Sequence, residues 1–245
     1  KMSLRSFLKQ MEKEGEVVRV KEQVSPRFEM SSIMKAFDGG PILFFDNVKG
    51  FQTQIVANTC ATRKRLCSAL GVKREKLCQR LIEGWRSPTS PKISKTGPVK
   101  EVIEEADLSK IPILTHFGKD AGPYITSAIV SARSSNGKIE NVSIHRLMVV
   151  DKNHLAIRLV PRHLFKLWNL AKGEKKELDV AIAFGLHPAV MLAATLSVPF
   201  GISEYTVANT FLEKRLHLIK CEHVNAYAPA ESEIVLEGKI SVKNE

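Results

Sequence analysis

Tyrosine and tryptophan are scarce in this chain, with three of the one and two of the other among 245 residues. Single-stranded nucleic acids are usually gripped by aromatic rings interleaved with basic side chains, so this scarcity argues against a stacking platform despite a formal net charge of +11. The basic residues are also spread from Arg5 to Lys243 and gather in no single arm. Long apolar runs are absent too. The longest, "PAVMLAATLSVPF" from Pro188, is too short for a membrane span and closes on proline. Charges throughout "KMSLRSFLKQMEKEGE" exclude a signal peptide, so a cytoplasmic protein without a membrane span is expected. The four cysteines show no CxxC spacing and no histidine partners suited to zinc, which leaves them reduced and mostly buried. Neither an internal repeat nor a low-complexity tract is present.

What is there reads as a mixed α and β chain. Leu4, Phe7, Leu8 and Met11 recur at helical spacing before Gly15, which predicts a helix over residues 3–14. "EVVRVKEQV" and "GPILFFDNVKG" read as strands, and "FEMSSIMKAF", "TRKRLCSALG" and "REKLCQRLIEGWRS" as helices. Ser, Thr, Pro and Gly then cluster in "RSPTSPKISKTGPVK", Arg86 to Lys100, the expected linker. Beyond it come three β-rich runs separated by "SSNGK" and "DKNH", the first with an Asn-Gly hairpin signal. A helix ended by Gly173, the buried strand "LDVAIAFGL", the helix "HPAVMLAATL" and the final strand "EIVLEGKISV" complete the pattern. The fold class is α+β: an N-terminal α/β domain over residues 1–95, then a small barrel-like β domain with inserted helices over residues 96–245.

Within the β-rich part, Asn141, Arg146, Arg158 and His163 interrupt apolar strand-like residues in "ENVSIHRLMVVDKNHLAIRLVPRHLFKLW". Taken singly, each has an ordinary explanation. Asn141 follows a turn, His163 stands at a helix start, and Glu204 in "GISEYT" begins a helix where a carboxylate is favoured. Jointly, "GPYITSAIV" with "NVSIHR", then "RLVPRH", then "VAIAFGLHPAVMLAA" running to "GISE", and finally "PAESEIVLEG" resemble the UbiD family of decarboxylases in order and spacing. "SLRSFLKQMEKEGEVVRV" is similar to that family's opening helix and strand, so the resemblance covers essentially the whole chain.

That resemblance implies a split β-barrel flavin-binding domain and a prenylated FMN cofactor, held through a divalent ion, Mn²⁺ or Mg²⁺, with K⁺ nearby. It puts metal ligands at Asn141, His163 and Glu204, and cofactor contacts at Ser143, Ile144, His145, Arg146, Arg158, Leu159, Val160 and His163. An amide oxygen, an imidazole and one carboxylate suit a hard-to-borderline cation that must stay positive enough to bind phosphate. Arg146 corresponds to the family's catalytic arginine, suited to fork onto a substrate carboxylate; His145 receives no catalytic part. His116, His154, His187, His217 and His223 are expected to be structural or solvent-facing, and Glu231, Glu233 and Glu237 to shape strands.

The implied activity is reversible, non-oxidative decarboxylation of an α,β-unsaturated or aromatic acid. The two glutamates of the family's Glu-Arg-Glu set would fall in an "EGPFGE"-like segment beyond Glu245. The chain is therefore expected to be the cofactor-binding portion of an oligomeric enzyme, completed by further sequence or a second chain. A flavin prenyltransferase would be the cofactor's source. A non-catalytic flavin-phosphate-binding module, or a subunit of a larger carboxylase/decarboxylase complex, is the alternative.

Overall fold

The computed structural model describes residues 2–243, so the expected domain limits at residues 1 and 245 lie outside them. Helix α1 (Leu4–Lys13) starts at Ser3, whose hydroxyl accepts from the Ser6 amide at 3.1 Å while Ser6 Oγ accepts from the Ser3 amide at 3.0 Å. This reciprocal cap satisfies two otherwise orphaned donors. Its apolar stripe, Phe7, Leu8 and Met11, packs on Ile42 and Ala69. Strand β1 (Val17–Val24), helix α2 (Glu29–Ala36), strand β2 (Ile42–Val48) and strand β3 (Ile55–Ala57) follow. β1 pairs parallel with β2, and β3 returns antiparallel on its other side.

Helices α3 (Arg63–Leu70) and α4 (Leu77–Arg86) belong to the N-terminal sequence but pack elsewhere. Cys67, Leu70 and Leu77 share a core with Val190, Val207 and Phe211 of the second half. The Ser/Pro-rich stretch expected as a linker is strapped down as well. Its strand β4 (Lys92–Ser94) pairs parallel with β11 (His217–Lys220), and the Asn209 amide donates to the carbonyls of Thr89 and Ser90 at 3.2 and 3.0 Å. A segment too polar to form a core still finds a place when its backbone groups are bonded.

The β-rich part is built on a four-stranded sheet in the order β13 (Ile234–Ile240), β10 (Leu178–Phe184), β6 (Ile129–Arg133), β7 (Glu140–Ile144), antiparallel throughout. Both faces are covered. Val130, Ala132, Val180 and Ile182 meet Leu164, Leu167 and Trp168 of α5 (His163–Gly173). Ile129, Val142, Ala181 and Ala183 meet the layer holding α6 (Pro188–Ala193) and α7 (Glu204–Phe211). Covering on both sides explains why "LDVAIAF" is apolar almost without alternation. A second sheet runs β5 (Tyr124–Ile125), β8 (Leu147–Val149), β9 (Leu155–Ile157), and a third joins β4 and β11 to β12 (Tyr227–Pro229). The chain passes from β7 to β8 across His145 and Arg146, leaving one sheet for another at that corner.

Candidate functional site

The Asn-Gly turn sets the geometry. Gly137 takes φ +69°, its amide donates to Ser134 at 2.8 Å, and Asn136 accepts from the Lys138 amide. The hairpin it closes pairs Ala132 with Asn141 and Val130 with Ser143, putting both polar residues on the sheet face that α5 covers. β7 is an edge strand, so it carries backbone donors that β6 does not use.

Helix α7 brings the partner. Ser203 caps it, accepting from the Tyr205 amide at 3.3 Å, and Glu204 is its first residue. The Glu204 carboxylate is 3% exposed and accepts from Asn141 Nδ2 at 3.0 Å and from the Val142 amide at 2.6 Å. It thus closes the edge of β7 while meeting the Asn141 side chain. Burial pushes the Glu204 carboxyl up to about 7 against the pull of the Val142 and Asn141 hydrogen bonds, and the nearby Glu140 carboxylate adds to the rise. On the other side, Asn141 Oδ1 accepts from Ser143 Oγ at 3.1 Å, and Ser143 Oγ lies 2.9 Å from His145 Nε2.

Glu140 and Ser203 had no place in the expected site, yet both support it. Ser203 Oγ donates to Glu140 Oε2 at 2.6 Å, linking the start of α7 to the start of β7. Burial also raises the Glu140 carboxyl. Arg133 Nε stands 3.8 Å from Glu140 Oε1, both atoms without a hydrogen bond, and its guanidinium lies over the Tyr227 ring. The only sequence signals were an acidic residue directly before Asn141 and the Ser directly before Glu204.

The remaining expected residues are more dispersed. His163 opens α5, half-buried, its ring centroid 5.3 Å from that of Phe200 in the loop leading to α7. Burial lowers its pKa, with Lys166 adding to the effect, and this favours the neutral imidazole that ligates metals. α5 and α7 both pack against β7. Ile144 and Leu159 are half-buried, Val160 is 40% exposed, and Arg146 and Arg158 are exposed. The structure therefore joins Asn141, Ser143, His145 and Glu204 by hydrogen bonds. It sets His163 against the α7 approach and leaves Arg146 and Arg158 facing solvent. The other histidines are structural or surface groups: His187 Nδ1 accepts from the Ala189 amide, His217 bonds Ser94, and His154 bonds Asp151. Glu237 accepts from the amides of Glu222 and His223, and Glu233 pairs with Arg5 through both carboxylate oxygens.

Among the described residues no group of three or more His, Cys, Asp and Glu side chains gathers as a metal cage. The Asn141–Glu204 pair nonetheless fits a cation. Asn141 Nδ2, the Val142 amide and Glu204's own backbone amide donate to the carboxylate, which leaves one of its lone-pair sites open. Among the described residues no cationic group contributes to holding that carboxyl ionised. A cation would supply the missing charge compensation. A surface cleft of about 380 Å³ lined by Arg133, Glu174, Lys176, Asp179 and Lys239 shares only Arg133 with this constellation and carries charges of both signs.

The family described as 3-octaprenyl-4-hydroxybenzoate carboxy-lyase Rift-related domain matches residues 91–245, and the corresponding N-terminal domain matches residues 8–85. Anhydromevalonate phosphate decarboxylase of Methanothermobacter thermautotrophicus is 37% identical over 97% of this chain and 55% of its own length. The enzyme of the same description from Methanosarcina mazei is 39% identical over 99% of the chain and 56% of its own. Among solved structures, an evolved dimeric form of the UbiD-class enzyme HmfF from Pelotomaculum thermopropionicum, in complex with prFMN, superposes with a TM-score of 0.94 at 38% identity. That match covers 98% of this chain and 57% of the other. Vanillic acid decarboxylase of Sedimentibacter hydroxybenzoicus in closed form gives a TM-score of 0.91 at 26% identity, over 98% and 55%. The chain spans about half the length of the curated relatives it matches. With both family domains matched in order and the fold reproduced over nearly all its residues, the chain belongs to the UbiD family of prenylated-FMN decarboxylases.

Proposed function

We propose that this chain is the cofactor-binding portion of an enzyme that decarboxylates an α,β-unsaturated or aromatic acid with prenylated FMN. The observation that carries the reading is the buried Asn141–Glu204 pair on the edge of β7, in a fold that superposes on a relative bound to prFMN. Asn141 Oδ1, Glu204 and a neutral His163 would hold Mn²⁺ or Mg²⁺, with K⁺ nearby, and that ion would bind the cofactor's phosphate. One carboxylate leaves the ion cationic enough for the purpose. Ser143, Ile144, His145, Arg158, Leu159 and Val160 would line the cofactor.

When bound, prenylated FMN supplies the electron sink that makes loss of CO₂ feasible. Arg146 does the orienting. Its guanidinium stays protonated and forks onto the substrate carboxylate, a part that its present exposure at the β7–β8 corner leaves it free to play. A glutamate from the remaining length of the full protein, or from a second chain, would protonate the carbon left behind. The relatives' names favour a small anionic acid, such as the phosphorylated one of the two archaeal enzymes, and the +11 charge would steer it.

Co-expressing the full-length protein with a flavin prenyltransferase tests this. Native mass spectrometry should report an oligomer carrying prenylated FMN and a divalent metal. The same preparation should release CO₂ from anhydromevalonate phosphate or from an aromatic acid. A protein that never retains the flavin would sink the proposal.

A further inference from the structure

The hydrogen bonds leading into Asn141 have a direction that their donor inventory fixes. Asn141 turns its Nδ2 toward Glu204 Oε1, which accepts at 3.0 Å. Oδ1 is then the acceptor for Ser143 Oγ at 3.1 Å. A serine hydroxyl has a single hydrogen, and here it is spent on Asn141. The 2.9 Å contact between Ser143 Oγ and His145 Nε2 therefore needs its proton from the ring.

We infer that Ser143 and His145 are positioning residues, a one-way donor chain from His145 Nε2–H through the Ser143 hydroxyl to Asn141 Oδ1. The chain fixes which end of the Asn141 amide is offered to a cation. The inference rests on the reading that Asn141 and Glu204 hold one. An unsupported amide can rotate by half a turn and present N–H in place of oxygen, which a cation repels; the Ser143 hydroxyl penalises that rotation because it would lose its acceptor. His145 enforces the hydroxyl's direction by occupying its lone pair with an N–H. Its ring is half-buried and burial disfavours a second proton, in keeping with a neutral ring. Nδ1 then remains a bare acceptor, with no hydrogen bond from the described residues. A ligand group seated beside it should bring a hydroxyl or N–H donor, not a carboxylate oxygen.

Two readouts test this on the full-length protein labelled with ¹⁵N in its histidine rings. In two-bond ¹H–¹⁵N spectra at neutral pH, the His145 signal, identified by its loss in His145→Gln, should show the Nε2–H tautomer. Ser143→Ala should release it to a mixture. Mn²⁺ titration followed by electron paramagnetic resonance gives the second readout. Ser143→Ala and His145→Ala should each weaken Mn²⁺ binding on the order of tenfold, as outer-shell partners do. His145→Gln should restore it, because its amide N–H stands where Nε2–H stood. Melting temperatures should stay at the parent's in all three variants. An Nδ1–H ring, or Mn²⁺ affinity unchanged in Ser143→Ala, overturns the inference. A parent protein that binds no Mn²⁺ overturns the positioning role together with the cation reading, while the tautomer spectrum still decides the chain's direction separately.

Discussion

Three constraints place Glu204: the Ser203 cap that starts its helix, the free Val142 amide on an edge strand, and the Asn141 side chain. Arg146 has none of these and stands exposed where the chain turns from β7 to β8. Their substitutions should therefore fail differently. Glu204→Ala is expected to abolish divalent-metal binding and, with it, retention of prenylated FMN, seen as loss of the flavin spectrum. Arg146→Ala should retain the flavin and lower turnover by about 100-fold or more, since misplacing the substrate is enough to cost that much. Equal flavin loss in both variants would refute this division of labour. At this scale the sequence named Asn141 and Glu204 only through their spacing within family motifs. Glu140 and Ser203 escaped because a carboxylate in a strand and a serine before a helix are both ordinary. Only the fold brings Ser203 Oγ to within 2.6 Å of Glu140.

Helix α4 crosses α7 at Gly84, where an added Cβ would lie 2.2 Å from Phe211 Cε1. Phe211 is 2% exposed and cannot swing away. Gly84→Ala gains about 1 kcal/mol of helix propensity, but overpacking a closed core costs about 1–3 kcal/mol. The expected result is a net loss of stability by urea denaturation, and a gain would mean the two helices separate readily. Helix α6 carries a pH dependence. His187 caps it, Nδ1 accepting from the Ala189 amide at 3.2 Å, and burial, with Arg215 adding, lowers its pKa to about 4. The unfolded chain binds a proton near pH 6.5 and the folded one does not until about pH 4. Stability is therefore full above the upper value and falls as pH drops between the two, by about 3 kcal/mol in all. His187→Asn keeps an acceptor at the cap and should flatten that slope in melts taken from pH 7 to pH 4. The Asn-Gly hairpin and the first helix were legible because turn chemistry and helical spacing are local, although the Ser3 cap of that helix was not read. The break between β7 and β8 was not, since apolar residues continue on both sides of His145 and Arg146 and only the sheet partners change.

Composition drew a division between residues 1–95 and 96–245, and the core runs across it. Cys67, Leu70 and Leu77 are buried among Val190, Val207 and Phe211, and Arg80 donates to the Thr210 carbonyl at 3.0 Å. Arg5 on α1 pairs with Glu233, and Thr89 and Ser90 are held by Asn209. A polar, proline-containing stretch reads as a boundary because composition registers solubility. It does not register which carbonyls will be bonded from 120 residues away. Helices α3 and α4 should then unfold together with α6 and α7, not with the small β1–β2–β3 sheet alone. The two tryptophans report on this from opposite sides: Trp85 ends α4 near the Ser197 carbonyl, and Trp168 sits in α5 with its N–H on the Ser241 carbonyl. In Trp168→Phe the fluorescence follows α4, and in Trp85→Phe it follows α5. Urea titrations of the two variants, each corrected by its own circular dichroism midpoint, should give fluorescence and backbone transitions that coincide. A Trp85 transition clearly ahead of the backbone change would show that α4 leaves the shared core first, and would restore the boundary near residue 95 as a real unit of folding.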